Sequence, residues 1–153
     1  MNVTLTQKET TLLKDLTGQE KLCEEKYKKS AEAANDPQLK RLFNDLAAVE
    51  HHHHHLLTQI EGGTVPTDLQ APAVSGGPFQ STYGTGSDPA KDKDMYLCSD
   101  LLTTEKHVSG LYNTCVFEFG QPELRQVLNR IQTDEQKHGE QIYKYMQANA
   151  MYA

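Results

Sequence analysis

Apolar residues recur at three- and four-residue steps in four long stretches, with polar residues between them. Leu12, Leu13, Leu16, Cys23, Tyr27, Ala31 and Ala34 form the first stripe, opened by Thr6 and Glu9 in the order of a capping box. Asn35-Asp36-Pro37 then offers a turn, a cap and a proline at a first helical position. Leu39, Leu42, Phe43, Leu46, Val49, Leu56, Leu57 and Ile60 make the second stripe. A third follows Asp88-Pro89 and carries Leu97, Leu101, Leu102, Val108, Leu111, Tyr112, Cys115, Val116 and Phe119. Gly120-Gln121-Pro122 breaks it, and Leu124, Leu128, Ile131, Ile142, Tyr145 and Met146 complete the fourth. The pattern predicts helices over about 6–34, 37–61, 89–119 and 122–148.

Between the second and third stripes the composition changes. Gly62 to Asp94 holds six of the ten glycines and four of the six prolines, with no sustained period. The expectation is a crossover over about 62–88, long enough to run the length of a bundle. The predicted fold is therefore all-α: two helical hairpins joined by one long crossover, in a single domain spanning 1–153.

The polar residues that interrupt the stripes are not scattered. Glu50 and His53 form one Glu-x-x-His pair and Glu135 and His138 the other, 85 residues apart. A glutamate stands 30 residues before each pair: Glu20 and Glu105, again 85 apart. Pro37 maps on Pro122, Leu39 on Leu124 and Tyr27 on Tyr112 at the same offset. Each glutamate sits at i+3 or i+4 from apolar neighbours, so each hairpin points two Glu and one His inward.

Four carboxylates buried together would repel and raise one another's pKa values. Two divalent cations remove the difficulty, because four carboxylates and two neutral imidazoles around two M²⁺ sum to zero. Glu20, Glu50, His53, Glu105, Glu135 and His138 are thus candidate metal ligands, and the four glutamates are the candidate catalytic groups with the metals. Oxygen ligands with a little nitrogen and no thiolate favour iron or manganese. The competing explanation is a protonated or Lys-paired polar core, or a decayed site that keeps only its spacing. Tyr27 and Tyr112, two turns beyond Glu20 and Glu105, are either core tyrosines or hydroxyl donors that orient a carboxylate across the bundle. In the run His51–His55, repeat mapping singles out His53; His52 and His55 should be solvated, His54 could lean inward, and His107 should point away.

The net charge of −6 argues against a nucleic-acid surface, and two cations against four glutamates would bring the remainder to −2. Three cysteines, Cys23, Cys98 and Cys115, without a Cys-x-x-Cys, argue against a disulfide scaffold or a zinc ribbon. With no apolar leader and no run of membrane-spanning length, a cytoplasmic setting is the default, with deposition onto a larger structure as the other expectation. No organic cofactor is expected.

The ligand pattern, one Glu on helices one and three and Glu-x-x-His on helices two and four, resembles the ferritin-like superfamily over almost the whole chain. The matched halves with Tyr seven residues after the first Glu look most like the rubrerythrin type. That resemblance implies a di-iron oxidoreductase or peroxidase that reacts with peroxide or oxygen. In the absence of a rubredoxin-like Cys₄ segment, it implies an external electron donor. Val108 stands where the rubrerythrin pattern has a further acid. Separately, the carboxy-terminal half resembles the spore coat protein F family at Tyr112-Asn113, Leu124-Arg125, Ile142-Tyr143-Lys144-Tyr145-Met146 and Met151-Tyr152. This second resemblance implies a bacterial spore former, a place in or near the coat and coat-protein partners. A homodimer is a further expectation. The alternative function is a non-catalytic coat structural or assembly protein with a vestigial or merely stabilising metal site.

Overall fold

Four helices, α1 (Gln7–Ala33), α2 (Pro37–Glu61), α3 (Pro89–Glu118) and α4 (Pro122–Ala148), make up the computed structural model, which describes residues 1–152. The bundle is all-α, and among the described residues the one β feature is an isolated bridge between Asn2 and Thr64. No helix there is long and apolar enough to cross a membrane.

Local chemistry sets the helix ends. Thr6 and Glu9 close a full capping box at α1, Asp36 caps α2 ahead of Pro37, and Asp88 caps α3 ahead of Pro89. The offset of 85 fails at α4, where Gln121 replaces the Asp36 cap and makes no side-chain bond. Arg125 compensates by donating Nη1 to the carbonyls of Phe119 and Gly120, each at 2.9 Å. Asp94, at the end of the glycine- and proline-rich stretch and within the predicted third helix, is a buried residue inside α3.

α1 packs on α2 and α3 on α4, while α1 meets α3 and α2 meets α4 across the two hairpins. Two side chains fix this pairing at opposite ends. Glu9 Oε2 accepts the Gly120 amide at 3.0 Å, so the start of α1 holds the α3–α4 turn. Asp94 accepts the Asn35 and Asp36 amides at 2.8 and 2.9 Å, so the start of α3 holds the α1–α2 turn. Glu9 and Asp94 are themselves 85 residues apart.

The apolar core is split in two. One cluster, with Leu13, Leu16, Leu57, Ile60, Phe119 and Leu124, fills the end that holds the α3–α4 turn. The other, with Leu39, Phe43, Leu46, Leu101, Ile142 and Tyr145, fills the opposite end. Between them lies a layer of acidic and imidazole side chains.

The crossover runs along α2 and α4 from one end to the other. Leu69 packs on the first cluster, and Val74, Phe79 and Tyr83 pack on the second. Its amides bind side chains of the bundle: Ser75 to Asp45, Gln80 to Gln38, and both Thr82 and Tyr83 to Asn149 Oδ1. Lys91 anchors its far end by donating Nζ to the carbonyls of Gly84 and Gly86.

Candidate metal centre

All six sequence-predicted residues meet in the polar layer. Glu20, Glu50, His53, Glu105, Glu135 and His138 are each 3% exposed or less. They fall into two groups whose candidate ligand atoms lie within 4.8 Å of one another. Glu20, Glu50, His53 and Glu135 form one group; Glu50, Glu105, Glu135 and His138 form the other. Glu50 and Glu135 belong to both, so the geometry makes them the shared carboxylates, while Glu20 and Glu105 each serve one side. Each Glu-x-x-His pair falls within one group, but each imidazole lies nearer the shared glutamate of the other hairpin. His53 Nδ1 lies 2.9 Å from Glu135 and 3.5 Å from Glu50, its own helix partner. His138 Nδ1 likewise lies nearer Glu50, at 3.1 Å, than Glu135, at 3.8 Å. The two imidazoles stack across the layer with centroids 6.0 Å apart.

The tyrosines reach the outer pair of carboxylates across the bundle. Tyr27 donates to Glu105 Oε1 and Tyr112 to Glu20 Oε1, both at 2.5 Å. These are the only two carboxylate oxygens of the quartet with an aligned donor. The other six, with both oxygens of Glu50 and of Glu135 among them, have none, and neither has Nδ1 of His53. These unpartnered atoms lie within 4.8 Å of one another in each group, around a common centre. A donor set of four carboxylates and two imidazoles fits two hard or borderline divalent cations, and a cation at that centre would satisfy the orphaned lone pairs.

Without a cation, protons do part of the same work. Burial, then the charges of Glu20 and Glu105, hold the Glu50 carboxyl well above its ordinary value. Burial, then Glu105, Glu50 and Glu20, do the same to Glu135. For Glu20, burial is outweighed by the charge of His53, by the close approach of His53 and Glu50 and by the Tyr112 hydroxyl, which pull it down. Burial of Glu105 is outweighed by the close approach of Glu135, by His138 and by Tyr27. Both imidazoles are held above the ordinary range. Burial opposes their charge, but Glu20 and Asp134 overcome it for His53, and Glu105 does so for His138.

One participant escaped the sequence argument. Asp134, 5% exposed, accepts Nε2–H of His53 at 2.9 Å and is itself held by Arg130 Nε at 3.2 Å. This bond fixes the ring so that Nδ1 faces the glutamates. An offset search could not find it, because the matching residue is Val49. Cys23 is buried, with its thiol pushed up first by burial and then by the charge of all four glutamates. Val108, its counterpart, is also buried.

The remaining histidines stay outside. His51 is exposed and pairs with Glu24 at 3.1 Å, and His55 and His107 are exposed. His54 is half-buried and belongs to neither group. His52, expected in solvent, is half-buried because the crossover covers it, with the Leu69 backbone against its ring.

The Coat F domain family model matches residues 92–153, which take in most of α3, all of α4 and the carboxy-terminal tail. No curated protein matches the chain, and no solved structure does. Several residues that carried the coat F resemblance build the end of the bundle rather than the polar layer. Tyr145 donates to Asp36 at 2.6 Å, Met151 is buried, and Tyr152 stacks edge-on against Tyr143 at 4.9 Å.

Proposed function

We propose that this chain is a coat F-like protein of a bacterial spore former whose bundle holds two divalent cations, iron or manganese, and that the loaded centre reacts with peroxide or oxygen. The observation that carries the proposal is the set of six buried carboxylate oxygens without a donor, drawn from four helices to within one ligand set. Buried acceptor atoms left without a partner cost free energy that bound cations would recover, and a sequence that repeats the arrangement on both hairpins repeats that cost. When bound, iron supplies one-electron redox chemistry toward peroxide or oxygen, with an external donor to reset it. The chain's own residues supply the rest. Glu50 and Glu135 are placed to be shared, Tyr27 and Tyr112 steady Glu105 and Glu20, and Asp134 keeps the His53 ring in one tautomer. Coat proteins and a second copy of the chain are the macromolecular partners that go with this role.

A second function rests on the family match. The matched segment supplies Glu105, Glu135 and His138 but not Glu20, Glu50 and His53, so likeness to the Coat F domain speaks for a coat role independently of the centre. In that case the bundle is a structural component that any bound metal only stabilises.

Metal analysis of protein made in iron-supplemented medium separates the two, followed by anaerobic ferrous loading and addition of peroxide. Two irons per chain with rapid oxidation, abolished in Glu50→Ala and His138→Ala, is the result expected of the reactive centre. Absence of metal, with the melting temperature unchanged in both variants, would leave the coat scaffold standing alone.

A further inference from the structure

The two halves of the centre differ wherever the repeat fails. Asp134 backs the His53 ring, but the corresponding place near His138 is held by Val49, which offers no acceptor. Val49 and His138 border a cavity of about 270 Å³ beneath the crossover, which Asp134 also lines. A second difference lies on the hairpin faces. A groove of about 520 Å³ between α3 and α4 reaches Glu105 and Glu135, passing Leu102 and Gly139. At the matching places on the first hairpin, Gly139 becomes His54, Gln136 becomes His51 and Ser109 becomes Glu24, and the last two bond to each other. Exposure follows the same division. Glu20 and His53 are 0% exposed and Glu105 and His138 each keep 3%, with the shared Glu50 and Glu135 at 0% and 1%.

We propose that the two cation positions are unequal: the Glu20–His53 position is closed and fills first, and the Glu105–His138 position is open, loading and emptying through the groove at Gly139. This inference rests on the cation centre proposed above. A carboxylate on the outer nitrogen of a ligating imidazole makes the ring a better donor, and losing such a partner lowers metal affinity about 10- to 100-fold. Only His53 has one. Gly139 is the gap in the wall, because a Cβ there would meet Leu102 Cδ1 at 3.6 Å, an ordinary contact that closes the space without a clash.

The test is calorimetric titration of the full metal-free chain with Co²⁺, whose visible bands also count bound ions. Stepwise filling of the native protein does not decide the matter, since two like charges repel in a symmetric centre as well. The paired variants decide it. His138→Ala should bind one Co²⁺ with the native first-step affinity, and His53→Ala should bind one at least about tenfold more weakly. Asp134→Asn, which keeps the side-chain shape, should weaken the first step by about 10- to 100-fold and leave the second alone. Gly139→Leu should slow chelator extraction of the second ion severalfold and leave the first ion's extraction rate unchanged. Equal single-ion affinities in the two histidine variants, or an Asp134→Asn titration that superimposes on the native one, would overturn the inequality while leaving the cation centre intact. A native chain that takes up no Co²⁺ would overturn both.

Discussion

Loading two divalent cations should expel four protons from the polar layer. In the metal-free protein near pH 6, the upward shifts of Glu50, Glu135 and both imidazoles favour their protonated forms. Glu20 and Glu105 stay ionised, so two anions face two cations and the layer is neutral. Two M²⁺ among four carboxylates and two neutral imidazoles give a neutral layer too. The exchange therefore leaves the buried charge unchanged and releases two carboxyl and two imidazolium protons. In a weakly buffered solution at about pH 6, a pH-stat titration with Mn²⁺ or Co²⁺ should record close to four protons per two ions. Each released proton steepens the pH dependence, so the apparent constant for the pair should climb by up to about four decades per pH unit there. One proton or none per two ions would refute this protonation scheme.

The same shifts fix how the metal-free protein responds to pH. Glu50, Glu135, His53 and His138 bind protons more tightly folded than unfolded. Their contributions are present below the ordinary values of 4.5 and 6.5 and are lost as pH rises through the raised folded values. Glu20 and Glu105 act in the other direction, with contributions present above 4.5 and lost as pH falls through their lowered values. The melting temperature of metal-free protein should therefore peak in mild acid and fall toward alkaline pH, and saturating cation should remove the alkaline fall. A metal-free curve still rising above neutrality would contradict the assignment.

Three further outcomes are expected. Tyr27→Phe and Tyr112→Phe each remove a donor from a buried carboxylate and should cost about 1–3 kcal/mol in urea unfolding, with the pair of losses alike because the bonds are alike. Asp94→Ala should destabilise by about 2–4 kcal/mol, since it strands two turn amides and the Tyr83 hydroxyl, and a loss below about 0.5 kcal/mol would discount the staple. Gly110→Ala, in the interior of α3 with nothing within 4 Å of the added Cβ, should raise stability by about 0.5–1 kcal/mol in the same assay.

What the chain disclosed in advance was whatever it says twice. The stripes, the turns at Pro37 and Pro122 and the six converging residues all recur at one offset, and a feature repeated in both hairpins stands out from chance spacing. Asp134 occurs once, opposite an apolar Val49, and so carried no signal beyond lying next to Glu135. The bond it makes depends on the approach of α2 and α4, a tertiary fact. Glu9 and Asp94 were legible in principle, being acids at the same offset. The capping-box role of Glu9 accounted for it locally and hid its long-range one. The crossover was visible as a break in period, but its course along α2 and α4 depends on single contacts such as Ser75 with Asp45, which no periodicity encodes.

The division of the oily interior into two separate knots has a consequence for the life of the molecule. Each end of the barrel of rods is tied off by its own grease and its own acidic latch, and Tyr112 and Tyr27 reach from the two ends into the waist. A change at the waist is therefore passed to either end through a tyrosine hydroxyl.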